Sequence, residues 1–129
     1  MTETITEAGG TTVVWLDADG PLLAGEQDAS DVLSEAFSTD ADWVAIPVSR
    51  LVDGFLDLST RQAGRFIQKI INYQLSVAFI GDISAKVDAN SALRDFVRES
   101  NRGPRVWFMA TRSEFEARLD QISSKDRYP

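Results

Sequence analysis

The chain of 129 residues contains no cysteine and no histidine. The absence of cysteine excludes disulfide bonds and thiolate nucleophiles, and the absence of histidine excludes His-based catalytic triads. Together, the two absences exclude the usual Cys/His zinc sites. The first ten residues lack the basic and apolar regions of a signal peptide, and no apolar run approaches the length of a membrane span. We therefore expect a cytoplasmic protein with no membrane contact, no cofactor and no metal.

Composition and length indicate one globular domain over residues 1–129. Apolar residues make up 43% of the chain and charged residues 26%, values that are typical of soluble folded proteins. A chain of this length buries a core without help from disulfides or metals. No internal repeat or low-complexity tract divides the sequence.

Charge is distributed unevenly along the chain, whose formal net charge is −7. Residues 1–60 carry twelve acidic side chains and one basic side chain, whereas residues 61–129 carry eight acidic and twelve basic ones. This asymmetry fits either an acidic, solvated face on the first helix or a self-complementary dimer with an anion site on the later elements. Because nucleic-acid binders are more often basic, we expect no nucleic-acid partner.

Five segments have the pattern of strands. Four of them are short, nearly continuous apolar runs, as in strands buried on both faces of a sheet. A fifth, weaker segment precedes them across Gly9-Gly10, a pair suited to a tight hairpin turn, and it is expected to lie at an edge. The predicted strands cover residues 4–8, 12–16, 43–48, 75–80 and 106–109.

Four amphipathic helical patterns alternate with these strands. In the second helix Ser59 and Gln62 have the spacing of a capping box, and Gly103-Pro104 is predicted to end the third helix with glycine in a left-handed conformation. The apolar stripe of the second helix comprises Ala63, Phe66, Ile67, Ile70 and Ile71. The order β-β-α-β-α-β-α-β-α predicts a single α/β domain with a mostly parallel mixed sheet of about five strands and four helices.

Three segments carry a family resemblance: LDADGPLLAGEQDA, the stretch from residue 55 to 84, and SALRDFVRESNRG. They resemble the bacterial domain of unknown function family 4180 (DUF4180), which has no assigned reaction. The layout also resembles STAS-type domains, in which a serine at the start of the second helix is phosphorylated. That resemblance implies a regulatory role for Ser59 within Asp57-Leu58-Ser59-Thr60, although the Asp-Ser-Ser-Gly motif of that family is absent. Alternatively, Ser59 is only a helix cap.

The stretch Trp15-Leu16-Asp17-Ala18-Asp19 resembles the signature of haloacid-dehalogenase-type phosphatases. The resemblance implies Asp17 as the nucleophile and Asp19 as the acid and base. It also implies a magnesium ligand at Asp82, a phosphate-binding hydroxyl at Ser49, and the positive charge at Lys69 or Lys86. Pro21 replaces the usual threonine, and the cap insertion is missing. The alternative is a structural turn, because aspartate stabilises turns after strands.

Polar side chains follow several of the predicted strands and define a candidate ligand site. In open parallel sheets, ligands gather at the carboxyl ends of the strands. The residues expected to converge there are Asp17, Asp19, Arg50, Asp57, Ser59, Asp82 and Ser84.

Two further segments are candidate contact surfaces. The loop at residues 49–58 is long and apolar, so Phe55 and its neighbours either fold down as a lid or form a patch for a partner. In the third helix Arg94, Arg98 and Arg102 stand one turn apart and form either a solvated ridge or a surface for a partner or an anion. We expect a homodimer that uses one of these surfaces, and a protein partner is also possible.

The function expected from the sequence is that of a non-enzymatic regulatory or protein-interaction domain. The first alternative is a module that binds a small molecule or a phosphate ligand. The second is a magnesium-dependent phosphatase that uses Asp17 and Asp19. The three hypotheses differ in what they require at the carboxyl edge of the sheet: a surface, a cavity, or an acidic metal site.

Overall fold

The computed structural model describes residues 4–8 and 10–127, which form five strands and five α-helices. The strands are β1 (Thr4–Ala8), β2 (Thr11–Trp15), β3 (Trp43–Pro47), β4 (Ser76–Ile80) and β5 (Val106–Met109). The helices are α1 (Glu26–Ser38), α2 (Gln62–Asn72), α3 (Ser84–Ala89), α4 (Ser91–Arg102) and α5 (Arg112–Arg127). Two short 3₁₀ turns, Val48–Arg50 and Leu58–Thr60, lie between β3 and α2.

The five strands form one mixed sheet in the order β1-β2-β3-β4-β5. The first pair is antiparallel, with Ile5 opposite Val14, and the three later pairs are parallel. In the hairpin turn Gly10 has φ +83°, a conformation that glycine adopts without steric cost. The α/β fold class and the antiparallel start of the sheet are therefore confirmed.

The two faces of the sheet are covered differently because strand order follows chain order. Right-handed crossovers between sequential parallel strands place their helices on one side, and side chains of α1, α2 and α4 share one core cluster with that face. The opposite face packs against Phe115 and Leu119 of α5. There Trp43 and Trp107 pack with their ring centroids 4.4 Å apart.

Helix α2 shows how the apolar stripe positions a helix. Ala63, Phe66, Ile67 and Ile70 are buried as the periodicity predicts, and Ile71 is half-buried against the same core. Among the described residues, no helix has both the length and the apolar character needed to cross a membrane.

The predicted third helix is α4, and a short helix that was not predicted, α3, precedes it and brings the number of helices to five. The chain breaks at Asn90, whose φ of −144° and ψ of 107° are extended. The Asn90 side chain accepts a hydrogen bond from the Leu93 amide at 3.1 Å and caps α4. Asparagine competes for backbone hydrogen bonds in this way, which favours helix caps over helix interiors.

The predicted ends of two helices are also corrected. Ser59 does not cap α2, because that helix begins at Gln62 and the preceding Arg61 has a left-handed φ of 64°. Gly103 does end α4, but with φ −84° and ψ 176° it is extended and not left-handed.

Replacing Ile70 by aspartate is expected to unfold the protein. Ile70 is fully buried, and an unpaired carboxylate there costs several kcal/mol of a total stability of roughly 5–15 kcal/mol. Leu22→Asp is the matched control, because Leu22 is 57% exposed and its substitution is expected to change stability by less than about 0.5 kcal/mol. Thermal melting followed by circular dichroism measures both variants. An Ile70→Asp protein that melts like its parent contradicts the packing described above.

Candidate functional site

A cavity of about 460 Å³ opens at the carboxyl ends of β3 and β4. One wall is the segment 48–57 after β3, and the other is the segment 82–93 after β4. The strands are adjacent and parallel, so both segments emerge at the same edge of the sheet. The volume falls within the range of about 300–1,000 Å³ that is usual for small-molecule sites. The lining residues are Val48, Ser49, Leu51, Val52, Asp53, Gly54, Leu56, Asp57, Asp82, Ile83, Lys86, Ala89, Asn90 and Leu93.

The segment 48–57 is folded onto the core and does not project from it. Phe55 is fully buried, and its ring packs against Phe66 and Phe79 with centroid distances of 5.5 and 5.9 Å. Of the two arrangements expected for this loop, the folded-down lid is the one observed. Burial removes Phe55 from the candidate contact residues.

Arg50 holds the loop between β2 and α1 against the base of this wall. Its side chain is buried, and it donates from Nε to the Pro21 carbonyl at 2.5 Å and from Nη1 to the Asp17 carbonyl at 2.6 Å. The Arg50 carbonyl accepts the Leu23 amide at 2.6 Å, and the Leu23 carbonyl accepts the Val52 amide at 3.0 Å. Arg50 is therefore a structural clamp behind the wall and does not line the cavity.

Two Asp-x-Ser turns place carboxylates on opposite walls of the cavity. Oδ1 of Asp57 accepts the Ser59 hydroxyl at 2.7 Å and the Ser59 amide at 3.1 Å, and Oδ1 of Asp82 accepts the Ser84 amide at 2.9 Å. The hydrogen bond from the Ser59 side chain, followed by that from its amide, lowers the pKa of Asp57. The corresponding bonds from Ser84 lower the pKa of Asp82 in the same way. Ser59 and Ser84 thus orient the two carboxylates and keep them ionised.

The cavity has a negative charge. Its lining residues include Asp53, Asp57, Asp82 and Lys86, whose formal charges sum to −2. Asp53 and Asn90 were not predicted to belong to a site, and Lys86 was predicted only in the phosphatase hypothesis. Their position on the two segments that follow adjacent strands is the signal that could have identified them.

Asp17 and Asp19 lie at the end of β2 and do not line the cavity. Oδ1 of Asp17 accepts the Asp19 amide at 3.0 Å, and the Asp17 carbonyl accepts the Gly20 amide at 3.3 Å, which is the geometry of a tight turn. Within the described part of the chain, no group of three acidic side chains is arranged to hold a metal ion.

The arginine ridge of α4 is largely neutralised within its own helix. Arg98 pairs with Asp95 at 2.5 Å and Arg102 pairs with Glu99 at 3.2 Å, and all four side chains are more than half exposed. Exposed pairs of this kind are worth roughly 0–1 kcal/mol. Arg94 is exposed on the same helix. The ridge therefore has the structure of a solvated face, and it is separate from the cavity.

Replacing Gly20 by alanine is expected to destabilise the protein by about 1–3 kcal/mol, the usual cost of overpacking. A Cβ atom at this position would lie 2.6 Å from Cζ of Arg50, and the guanidinium is held in place by its two hydrogen bonds. Gly64→Ala is the matched control. Gly64 lies inside α2 with open space around it, so this change is expected to raise stability by about 0.5–1 kcal/mol. Urea denaturation measures both, and equal effects of the two substitutions contradict the clamp.

Comparison with known protein families gives a match over most of the chain. The family model described as Domain of unknown function (DUF4180) matches residues 8–119, which include every residue that lines the cavity. No curated protein and no solved structure gave a significant match. The resemblance of three sequence segments to DUF4180 is thereby confirmed. The match covers most of the chain, and the chain belongs to the family of the Domain of unknown function DUF4180.

Proposed function

We propose that this protein is a non-enzymatic regulatory domain that binds a small molecule in the cavity between segments 48–57 and 82–93. The observation that supports the proposal is the cavity itself, which combines apolar walls with acidic groups at the carboxyl edge of a mostly parallel sheet. A cytoplasmic location and a protein partner remain predictions from the sequence.

The charge of the cavity favours a ligand that bears a positive charge. Asp57 and Asp82 have lowered pKa values, so both are ionised throughout the neutral range. The lining contains one lysine and three aspartates, so an anionic ligand such as a phosphate would meet net repulsion. The apolar lining, including Val52, Leu56 and Ile83, suits an aliphatic or aromatic body. The proposed ligand class is a small amphipathic amine or guanidine.

A ligand of this class would connect two parts of the chain that leave the sheet separately. Asp57 belongs to the segment after β3, whereas Asp82 and Ile83 precede the short helix α3. A molecule that contacts both walls fixes α3 relative to the lid and changes the surface that a partner protein meets. Ligands shift a conformational equilibrium in this manner only by binding one arrangement more tightly than another.

Titration with benzylamine tests this proposal, with benzyl alcohol as the uncharged comparison. The amine is expected to shift the amide resonances of residues 53–57 and 82–90, whereas the alcohol produces smaller shifts. Because the pKa values of Asp57 and Asp82 are lowered and the amine is protonated, binding is expected to be constant from about pH 5 to pH 8 and to weaken as the pH falls through the carboxylate pKa values.

A pair of double variants provides the control. Asp57→Asn combined with Asp82→Asn is expected to weaken amine binding about tenfold, since each exposed charge contributes a few-fold. Asp31→Asn combined with Asp120→Asn makes the same change in net charge at exposed positions outside the cavity and is expected to leave binding within about twofold. If both double variants weaken binding equally, the attraction is a general effect of net charge and the cavity is not the site.

The non-enzymatic part of the proposal has its own test. Because Asp17 forms a tight turn, we expect the protein not to hydrolyse a chromogenic phosphate ester in the presence of magnesium. Release of the chromophore is measured for the parent and for Asp17→Asn. Magnesium-dependent turnover that disappears in the variant would show that Asp17 is a nucleophile and that the protein is an enzyme.

A further inference from the structure

The two outer edges of the sheet are not equivalent, because a side chain occupies the edge of β5. The Asn101 side chain donates from Nδ2 to the Phe108 carbonyl at 3.3 Å, and its Oδ1 accepts the Phe108 amide at 2.6 Å. The amide group of Asn101 therefore makes the two hydrogen bonds that an additional strand would make with Phe108. Proteins commonly protect strand edges, since open edges pair with other chains.

The outer edge of β1 has backbone hydrogen-bonding groups that point away from β2. Thr12 of β2 directs both backbone groups toward β3, since its amide donates to Asp42 Oδ2 at 2.9 Å and its carbonyl accepts the Asp42 amide at 2.8 Å. Its partner Glu7 must then direct its own amide and carbonyl away from β2, and Ile5, two residues earlier, does the same. Within the part of the chain that the structure describes, no strand pairs with this edge.

The sequence of β1 contains few of the features that block edge pairing. Thr4–Ala8 has no proline or lysine, and its register with β2 runs from Thr4↔Trp15 to Ala8↔Thr11 without a bulge. Ile5 is 53% exposed, although isoleucine is among the residue types most often buried. These features distinguish this edge from the protected edge of β5.

We propose that β1 pairs with β1 of a second copy, antiparallel and centred on Thr6, to form a continuous ten-stranded sheet. This register pairs all five residues of the strand and places Ile5 opposite the partner's Glu7. The outward amides and carbonyls of Ile5 and Glu7 then form four backbone hydrogen bonds across the two-fold axis. The two Glu7 carboxylates are offset by two residues, so like charges do not lie directly opposite one another.

The proposed interface makes a specific prediction about salt. Each copy has a formal net charge of −7, and β1 belongs to the acidic half of the chain. Electrostatic repulsion between the copies is screened as salt is added. The dissociation constant is therefore expected to fall between 50 and 500 mM sodium chloride. A dimer held by contact between the acidic and basic halves would show the opposite trend.

Sedimentation and cysteine cross-linking test the proposal on the full chain. The parent is expected to sediment at micromolar concentration as a species of twice the 14.2 kDa chain mass. Because the chain contains no cysteine, each single-cysteine variant reports on one position only. Thr6→Cys is expected to form a disulfide-linked dimer under mild oxidation. Glu7→Cys is the matched control and should not cross-link, since Cα atoms in diagonal positions are too far apart for a disulfide.

A proline substitution separates the interface from the fold. Ile5→Pro removes an outward amide while leaving the pairing of β1 with β2 intact, so the variant is expected to be a monomer with the circular dichroism spectrum of the parent. Three results would each overturn the proposal: a parent that is a monomer, Glu7→Cys cross-linking as efficiently as Thr6→Cys, or a folded Ile5→Pro variant that is still a dimer.

Discussion

The buried guanidinium of Arg50 is the interaction on which the carboxyl edge of this sheet depends. Removing a charged group from water is costly unless hydrogen bonds replace its hydration. Here the replacement is provided by backbone carbonyls of the loop that follows β2, and among the described residues no buried side-chain nitrogen or oxygen lacks a partner. The buried guanidinium therefore needs the carbonyls of this loop as hydrogen-bond acceptors, and the same hydrogen bonds hold the loop in place. This mutual dependence joins two connections that are far apart in sequence.

The cavity is a consequence of that arrangement and of the unusual length of one connection. In open parallel sheets, ligand crevices usually form at the point where the strand order reverses. The strands of this sheet follow chain order, so it has no such point. Instead, the wall is built from the long segment between β3 and α2, anchored at one end by Arg50 and in its middle by Phe55. The facing wall is short and begins at the Asp82 turn. These two segments supply both the apolar residues that pack on the core and the acidic residues that line the cavity.

The architecture could be predicted from the sequence because its signals are local. Nearly continuous apolar runs identified the buried strands, and the stripe in α2 identified its buried face. Helix α3 was not predicted because its six residues are too few to show an apolar period. Ser59 was wrongly predicted to cap α2, because the capping-box spacing does not reveal that a 3₁₀ turn capped by Asp57 precedes the helix. Burial of Arg50 and Phe55 depends on contacts with distant segments, and no local pattern reports such contacts.

Native-state hydrogen exchange of the Leu23 and Val52 amides tests most directly whether the cavity wall is part of the folded core. Both amides donate across the junction between the two loops. If the Arg50 clamp makes this junction part of the core, they will exchange with the same free energy of opening as the Val77 amide in strand β4, which lies between two other strands. Exchange of Leu23 and Val52 at the rate of exposed loop amides, with Val77 fully protected, would contradict a preformed wall and the account of the cavity that rests on it.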